Sequence, residues 1–221
     1  MGLNCGIVGL PNVGKSTIFS ALSSAPAEAA NYPFCTIDPN IGMVSVPDKR
    51  LDRIVDLIPT KRVVPATVEF VDIAGLVAGA SKGEGLGNRF LGSIREVGVL
   101  VHVVRCFENP DIIHVANQID PASDIETINI ELALADLETV EKRYQKVSKA
   151  NRLDKEAAKQ AAQVMPILES LRETLGNGGA ARSLGFGEEE KKLISDLHLI
   201  TLKPMIYVCN VDEESILEEN D

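Results

Sequence analysis

Residues 9–17 read Gly-Leu-Pro-Asn-Val-Gly-Lys-Ser-Thr and match the phosphate-binding pattern G-x-x-x-x-G-K-[ST] in full. The apolar run before them, residues 3–8, predicts a buried strand, and residues 16–24 predict a helix with its apolar side chains on one side. A strand, a glycine-containing loop and a helix N-terminus together present backbone N–H groups to a polyphosphate. This stretch therefore predicts a nucleotide phosphate site on a strand–loop–helix unit.

The polar groups of this loop have separate expected roles. Lys15 would reach the β- and γ-phosphates, and the Ser16 hydroxyl would sit on Mg²⁺. The backbone N–H groups of the loop would share in neutralising the phosphates, and they belong to Asn12, Val13, Gly14, Lys15, Ser16 and Thr17.

Composition argues against several classes of protein. The chain has 221 residues and a formal net charge of −10, which disfavours DNA or other non-specific nucleic-acid binding by the surface as a whole. No apolar run approaches the roughly 20 residues of a membrane span, and the first strand begins too early for a signal peptide to precede it. The cysteines lack C-x-x-C spacing, which predicts buried, reduced thiols and a cytoplasmic location. They are Cys5, Cys35, Cys106 and Cys209.

Strand-like and helix-like segments alternate through the first half of the chain. The predicted strands after the first lie at residues 42–46, 68–72, 99–106 and 205–210, and a helix is predicted near 52–57. This alternation predicts an α/β fold, a P-loop NTPase domain with an open, mostly parallel sheet. Ligands bind such sheets at the carboxyl ends of the strands.

Between residues 121 and 199 a helical pattern replaces the strand pattern. Apolar residues recur there at spacings of three, four and seven, which predicts two antiparallel helices. Ser123 and Glu126 have the spacing of a capping box that would begin the first helix. We therefore expect a nucleotide-binding domain from residues 1–120 and 200–221, incomplete at its C-terminal end, with a coiled-coil hairpin inserted at 121–199.

Two further segments predict contacts with Mg²⁺ and the γ-phosphate. Asp72 and Gly75 form a D-x-x-G pattern at the end of a predicted strand. The carboxylate there would hold Mg²⁺ through water, and the Gly75 N–H would meet the γ-phosphate. Thr36, in the loop 31–40, is placed to give its hydroxyl to Mg²⁺, although an ordinary proline-containing loop is the alternative. The glycine-rich stretch 79–87 predicts a switch segment.

Residues 210–213, Asn-Val-Asp-Glu, follow the last predicted strand. Guanine-specific proteins of this architecture place Asn-Lys-x-Asp there, and the Asp binds two guanine N–H groups. Val211 replaces the Lys here, and the extra methylene of Glu213 moves its carboxylate by more than about 1 Å from that position, since a C–C bond is about 1.5 Å long. The Asn210 amide remains and matches the N6–H and N7 edge of adenine. The segment therefore predicts a base-binding site formed by Asn210 and Val211 that prefers adenine.

In this order, the signatures at 9–17, 31–40, 72–76 and 210–213 resemble the YchF family, in the Obg-related branch of the GTPases. The resemblance extends over essentially the whole chain. It implies an ATPase of GTPase ancestry with a two-helix coiled-coil insert, a C-terminal TGS domain and binding to the ribosome, with roles in translation and stress response. The chain ends eleven residues after Asn210, so we expect it to be a fragment without the TGS domain.

The attacking water has no obvious partner in the sequence. Leu76 stands where Ras-like enzymes place a Gln that orients this water, and its side chain cannot form a hydrogen bond. The family resemblance implies a role in hydrolysis for a histidine at the position of His114; a structural histidine is the equal alternative. In some related GTPases an Asn at the position of Asn12 helps bind K⁺, which makes K⁺ a second candidate cofactor.

Basic residues gather around the tip of the predicted hairpin. They are Lys142, Arg143, Lys146, Lys149, Arg152, Lys155 and Lys159. Charge alone favours a solvated helical face, whereas the family resemblance favours contact with rRNA phosphates of the ribosome. The sequence as a whole favours an ATP-hydrolysing switch; the alternatives are a GTP-hydrolysing switch and a ribosome-binding module gated by nucleotide.

Overall fold

The computed structural model describes residues 3–23, 41–58, 60–73, 86–115, 118–149 and 155–216. The strands in these ranges are β1 (Leu3–Val8), β2 (Ile41–Ser45), β3 (Thr67–Asp72), β4 (Val99–Arg105) and β5 (Met205–Asn210). The α-helices are α1 (Lys15–Ser23), α2 (Lys49–Leu57), α3 (Leu86–Glu96), α4 (Pro121–Ser148), α5 (Lys155–Gly176) and α6 (Glu188–Leu193).

The strands form one sheet in the order β2-β3-β1-β4-β5. β1 pairs in parallel with β3 and β4, and β4 pairs in parallel with β5, while β2 is the antiparallel edge strand. Ile7 lies beside Asp72, and Arg105 lies beside Asn210. The carboxyl ends of four strands therefore meet at one edge of the sheet, which confirms the predicted mostly parallel α/β fold.

The core of the sheet is built on β1 and β4. Ile7, Val8, Leu100 and Val103 are fully buried, as expected for strands covered on both faces. The first half of α4 completes this core with apolar side chains at one-turn spacing, Ile128, Leu132 and Ala135. That half of α4 is therefore part of the sheet domain.

A second core joins the rest of α4 to α5. Val140 of α4 packs with Leu168, Leu171 and Leu175 of α5, and all four are fully buried. The two helices are antiparallel, because later residues of α4 contact earlier residues of α5. Glu141 accepts from Arg172 at 2.7 Å, whereas Val147, further along α4, lines a surface groove together with Val164. The boundary between the two cores falls within α4 and not at residue 121, where the sequence pattern changes.

Helix α4 begins earlier than the predicted capping box. Its N-cap is Asp120, whose carboxylate accepts from the Ser123 N–H at 3.1 Å, and Pro121 occupies the first helical position. The capping box at Ser123 and Glu126 is therefore wrong. Asp120 followed by Pro121 provides both an acceptor for a free N–H and a backbone angle already suited to the helix.

Asp136 ties three parts of the chain together from a fully buried position, 0% exposed. Its carboxylate accepts from the Ile200 and Thr201 N–H groups and from the Thr201 hydroxyl, at 2.9, 2.7 and 2.7 Å. Arg95 of α3 lies 3.6 Å away. Burial raises the pKa of Asp136, while the bonds from Thr201 and Ile200 and the charge of Arg95 oppose that change. Through this group, α4 fixes α3 and the segment that leads into β5.

We predict that Asp136→Ala lowers the free energy of unfolding by about 2–4 kcal/mol, because it leaves two buried N–H groups and a hydroxyl without their acceptor. Urea or thermal unfolding measures the change. Glu126→Ala, an exposed acidic residue on the same helix, is the matched control and should change stability by less than about 0.5 kcal/mol. Equal stability of the two variants would show that the network contributes little.

Candidate nucleotide-binding site

The phosphate loop between β1 and α1 requires the glycines of its motif. Gly9 has a φ of 150°, and a Cβ there would collide with the Val103 carbonyl oxygen. Gly14 has a φ of 95°, and a Cβ there would collide with the Asn210 amide nitrogen. These positive angles and close approaches are tolerated only by glycine. The loop is thus pressed against the ends of β4 and β5.

Side-chain amides hold this loop from two directions. Asn210, the last residue of β5, donates from Nδ2 to the Val13 carbonyl at 2.9 Å. Asn12, in the left-handed conformation with a φ of 63°, donates from Nδ2 to the Ile113 carbonyl at 3.1 Å. The sequence-predicted base residue therefore contacts the phosphate loop directly, and the segment after β4 does so through Ile113.

Lys15 is the first residue of α1 and is only 7% exposed. Its ammonium donates to the Leu10 carbonyl at 2.7 Å. Burial lowers the pKa of Lys15, and the negative charge of Asp72 partly offsets that effect. A largely desolvated cation held against the phosphate loop is suited to binding an anion, because the anion supplies the charge that water no longer compensates.

Ser16 and Asp72 come together although 56 residues separate them. The Ser16 hydroxyl donates to Asp72 Oδ2 at 2.9 Å. A hydroxyl and a carboxylate at hydrogen-bond distance are the hard oxygen ligands that Mg²⁺ prefers. The other predicted contacts of Mg²⁺ and the γ-phosphate, Thr36 and Gly75, lie outside the described residues, as does Leu76.

His114 lies next to Ile113 but is turned into the protein. Its Nε2 is 3.0 Å from Asp124 Oδ2, and both residues are 5% exposed. Asp124 belongs to the first turn of α4, so the loop after β4 and the long helix meet at this pair. The arrangement suits a structural histidine, and the catalytic role of His114 stays a prediction.

Arg105 shapes the loop that carries Ile113 and was not predicted from the sequence. This guanidinium is 1% exposed, donates to the carbonyls of Phe107, Asn109 and Ile112, and lies 4.7 Å from the Phe107 ring centroid. An arginine as the last residue of the otherwise mostly apolar strand β4 was the available signal, since buried arginines need several acceptors. Asp124 was missed because only the folded topology brings it to His114.

The histidine inside β4, His102, is buried beside the ring of Tyr207, with 5.4 Å between ring centroids. Burial, together with the positive charge of Lys15, lowers the pKa of His102 to about 4. His102 is therefore neutral at physiological pH and serves as part of the sheet core.

The mostly parallel sheet, the glycine-dependent loop and the Lys15, Ser16 and Asp72 cluster define a P-loop nucleoside-triphosphate-binding protein. A family model described as 50S ribosome-binding GTPase matches residues 4–211. Proteins named ribosome-binding ATPase YchF are 57% identical over 215 residues in Haemophilus ducreyi and 55% identical over 218 residues in Bacillus subtilis. The chain therefore belongs to the 50S ribosome-binding GTPase family and is a homologue of the YchF proteins.

A solved structure supports the same assignment. The YchF GTPase of Schizosaccharomyces pombe matches with a TM-score of 0.83 and 39% identity, over 98% of this chain and 58% of that one. The Haemophilus match covers 97% of this chain and 58% of the relative, and the Bacillus match covers 99% and 59%. The chain thus spans somewhat more than half the length of the relatives it matches.

We predict that Lys15→Ala weakens nucleoside-triphosphate binding at least about tenfold, because it removes a charge-assisted bond to the phosphates. Titration calorimetry measures the affinity, and circular dichroism checks that the fold is retained. Lys61→Ala, an exposed lysine outside the site, should bind as the unmodified chain does. An unchanged affinity of the Lys15 variant would contradict the assignment of the phosphate site.

Proposed function

We propose that this chain is the nucleotide-binding part of a cytoplasmic ATPase that acts as a switch on the ribosome. The observation that carries the proposal is the convergence of the phosphate loop, the Ser16 and Asp72 pair and the Asn210 amide at one edge of the sheet. The relatives named ribosome-binding ATPases support the activity and the partner. In the part of the chain that the structure describes, the helices are too short or too polar to cross a membrane.

The chemistry of such a site is mainly positioning and charge neutralisation, because phosphoryl transfer to water needs little covalent help from the protein. Lys15 and the N–H groups of the loop would hold the phosphates in line with the attacking water. Ser16, Asp72 and Thr36 would hold Mg²⁺, which supplies positive charge when bound. Asn12 stays a candidate for a K⁺ site, as the sequence suggested.

Base selection would depend on Asn210. An amide offers two N–H donors and an acceptor oxygen, and the bond to Val13 uses one donor. The remaining donor and the oxygen are a match for adenine N7 and N6–H, a pairing worth roughly 1–3 kcal/mol of discrimination. Val211 and Glu213 do not reproduce the lysine and short carboxylate that guanine-specific proteins use.

We therefore predict an ATP preference over GTP of about five- to 150-fold, from that range of free energy. Asn210→Ala should weaken the binding of both nucleotides, because it removes the hydrogen bond to Val13. The affinity for ATP should fall more than the affinity for GTP. Val211→Lys with Glu213→Asp should recover some GTP affinity. Competition titrations measure the ratio, with Asn177→Ala, an exposed amide remote in sequence, as control. Tighter binding of GTP than ATP by the unmodified chain would overturn the adenine assignment.

His114 is our candidate for orienting the attacking water. Its contact with Asp124 means that it would act only after its ring turns or through its second nitrogen. His114→Ala should lower kcat at least about tenfold and leave KM within about threefold, since uniform binding is untouched. His198→Asn is the control, because His198 is exposed and has a positive φ that Asn tolerates.

An unchanged kcat in His114→Ala, together with a lower melting temperature, would assign His114 a structural role.

The buried His114 and Asp124 pair also favours one alternative function, a ribosome-binding module in which nucleotide only gates docking. Ribosome binding measured with no nucleotide, with ADP and with a non-hydrolysable ATP analogue distinguishes the two. If the chain is such a module, ribosome binding should depend on the bound nucleotide in the same way in a variant that does not hydrolyse ATP.

The ribosome contact would lie at the basic end of α4. Lys142 pairs with Glu138 at 2.6 Å and Arg143 pairs with Asp196 at 3.3 Å, so part of the charge of these two residues is compensated within the protein. Lys146 and Lys149 are exposed in and after the last turn of the helix. They are therefore the better candidates for contact with rRNA phosphates.

We predict that Lys146→Gln with Lys149→Gln weakens ribosome binding and flattens its dependence on salt. Each lost phosphate contact should reduce the slope of log K against log salt by about 0.7–0.9. Co-sedimentation at several salt concentrations measures the slope. The control is Lys191→Gln with Lys192→Gln, two lysines of α6 that each pair with a glutamate of their own helix. A slope that does not change would identify the basic cluster as a solvated face.

A further inference from the structure

Two cysteines meet at the end of the sheet beside the phosphate loop. Val104 of β4 lies directly opposite Cys209 of β5, and Cys106 follows Val104 by two residues. Because side chains alternate along a strand, Cys106 and Cys209 project from the same face. The Cys106 N–H donates to the Asn210 carbonyl at 2.8 Å, which joins the ends of the two strands, and the Cys106 thiol donates to the Val104 carbonyl at 3.9 Å.

The two thiols differ in their surroundings. Cys209 is exposed, which corrects the expectation that it is buried, whereas Cys106 is half-buried and Cys5 is buried. Burial, and then the neighbouring Cys209 and Asp124, raises the pKa of Cys106 to about 11. Cys106 is therefore a protonated thiol at neutral pH, and Cys209 is the sulfur that meets a reagent from solvent.

We propose that Cys106 and Cys209 are a reversible oxidation site that forms an intramolecular disulfide with peroxide as the oxidant. The proposal stands on the geometry of the two strands and is independent of the proposed function. Intracellular disulfides of this kind are usually transient and regulatory.

The reaction balances in two steps. The Cys209 thiolate attacks one oxygen of hydrogen peroxide, the O–O bond breaks, and the departing hydroxide takes a proton to become water; Cys209 is then a sulfenic acid. The Cys106 sulfur attacks the Cys209 sulfur, the S–O bond breaks, and the Cys106 proton leaves with the hydroxide as a second water. Two thiols have lost two electrons and two protons, and a dithiol reductant reverses the change by exchange.

The cross-link would act on the phosphate loop through Asn210. An S–S bond of about 2.05 Å is much shorter than a contact between two thiols, so the end of β5 must shift toward the end of β4. Asn210 directly follows Cys209, donates to Val13 and lies against Gly14. Losing one such hydrogen bond reduces affinity about two- to tenfold, and we expect the oxidised chain to bind nucleotide more weakly by this factor.

The test uses the reduced chain in a Cys35→Ser background, so that only Cys5, Cys106 and Cys209 are present. After treatment with hydrogen peroxide, remaining thiols are alkylated and the peptides are mapped by mass spectrometry. We expect a 106–209 link that dithiothreitol removes. Cys5→Ser, which changes the buried thiol, is the matched control and should form the same link.

Two variants separate the steps. Cys106→Ser should stop at a sulfenic acid on Cys209 that a 1,3-diketone probe traps, and Cys209→Ser should give no link. Absence of the 106–209 link in the Cys35→Ser chain would overturn the proposal, whatever the chain does with ATP. If the link forms and nucleotide affinity stays the same, the site is an oxidation site but the effect through Asn210 is overturned.

Discussion

The site depends on how closely the phosphate loop approaches the two strands behind it. Gly9 leaves no space for a side chain beside the Val103 carbonyl, and Gly14 leaves none beside the Asn210 amide. The loop therefore has its shape only while β4 and β5 stay in register with β1. Lys15 and Ser16 follow directly and inherit their positions from this packing, because α1 begins where the loop ends. Two contacts between backbone and neighbouring groups thus position the side chains that would bind phosphate.

The local chemistry of the chain was enough to predict the sheet. The apolar run of β4 is continuous because both of its faces are covered, and the strand Met205–Asn210 has the bounds that the sequence predicts. The predicted start of α4 was wrong by a few residues, because Asp120 caps the helix and Pro121 begins it, ahead of the predicted capping box at Ser123. The residues that could not be predicted form hydrogen bonds with groups far away in the sequence. Asp136 bonds to residues more than sixty positions away, and no periodicity marks a carboxylate of that kind.

The candidate site shows the same division. The phosphate loop is a local pattern, so its residues and the roles expected of them follow from sequence. The pairing of Ser16 with Asp72 required only the expectation that neighbouring parallel strands end together. The environment of His114 depends on where α4 begins in space, and Arg105 is defined by carbonyls of a loop with no regular pattern. Comparison with YchF relatives identifies the family, whereas the geometry identifies which contacts hold the loop.

The shared helix α4 makes the hairpin a lever and not a loosely attached arm. With 28 residues and a rise of 1.5 Å per residue, it is about 42 Å long. Its first half is fixed in the sheet core and its far end carries the basic residues. A tilt of about 5° at the base would therefore displace the far end by about 3–4 Å. By the same geometry, a force on the far end of α4 would also act on the sheet. Asp124, in the first turn of the helix, would transmit that force to His114.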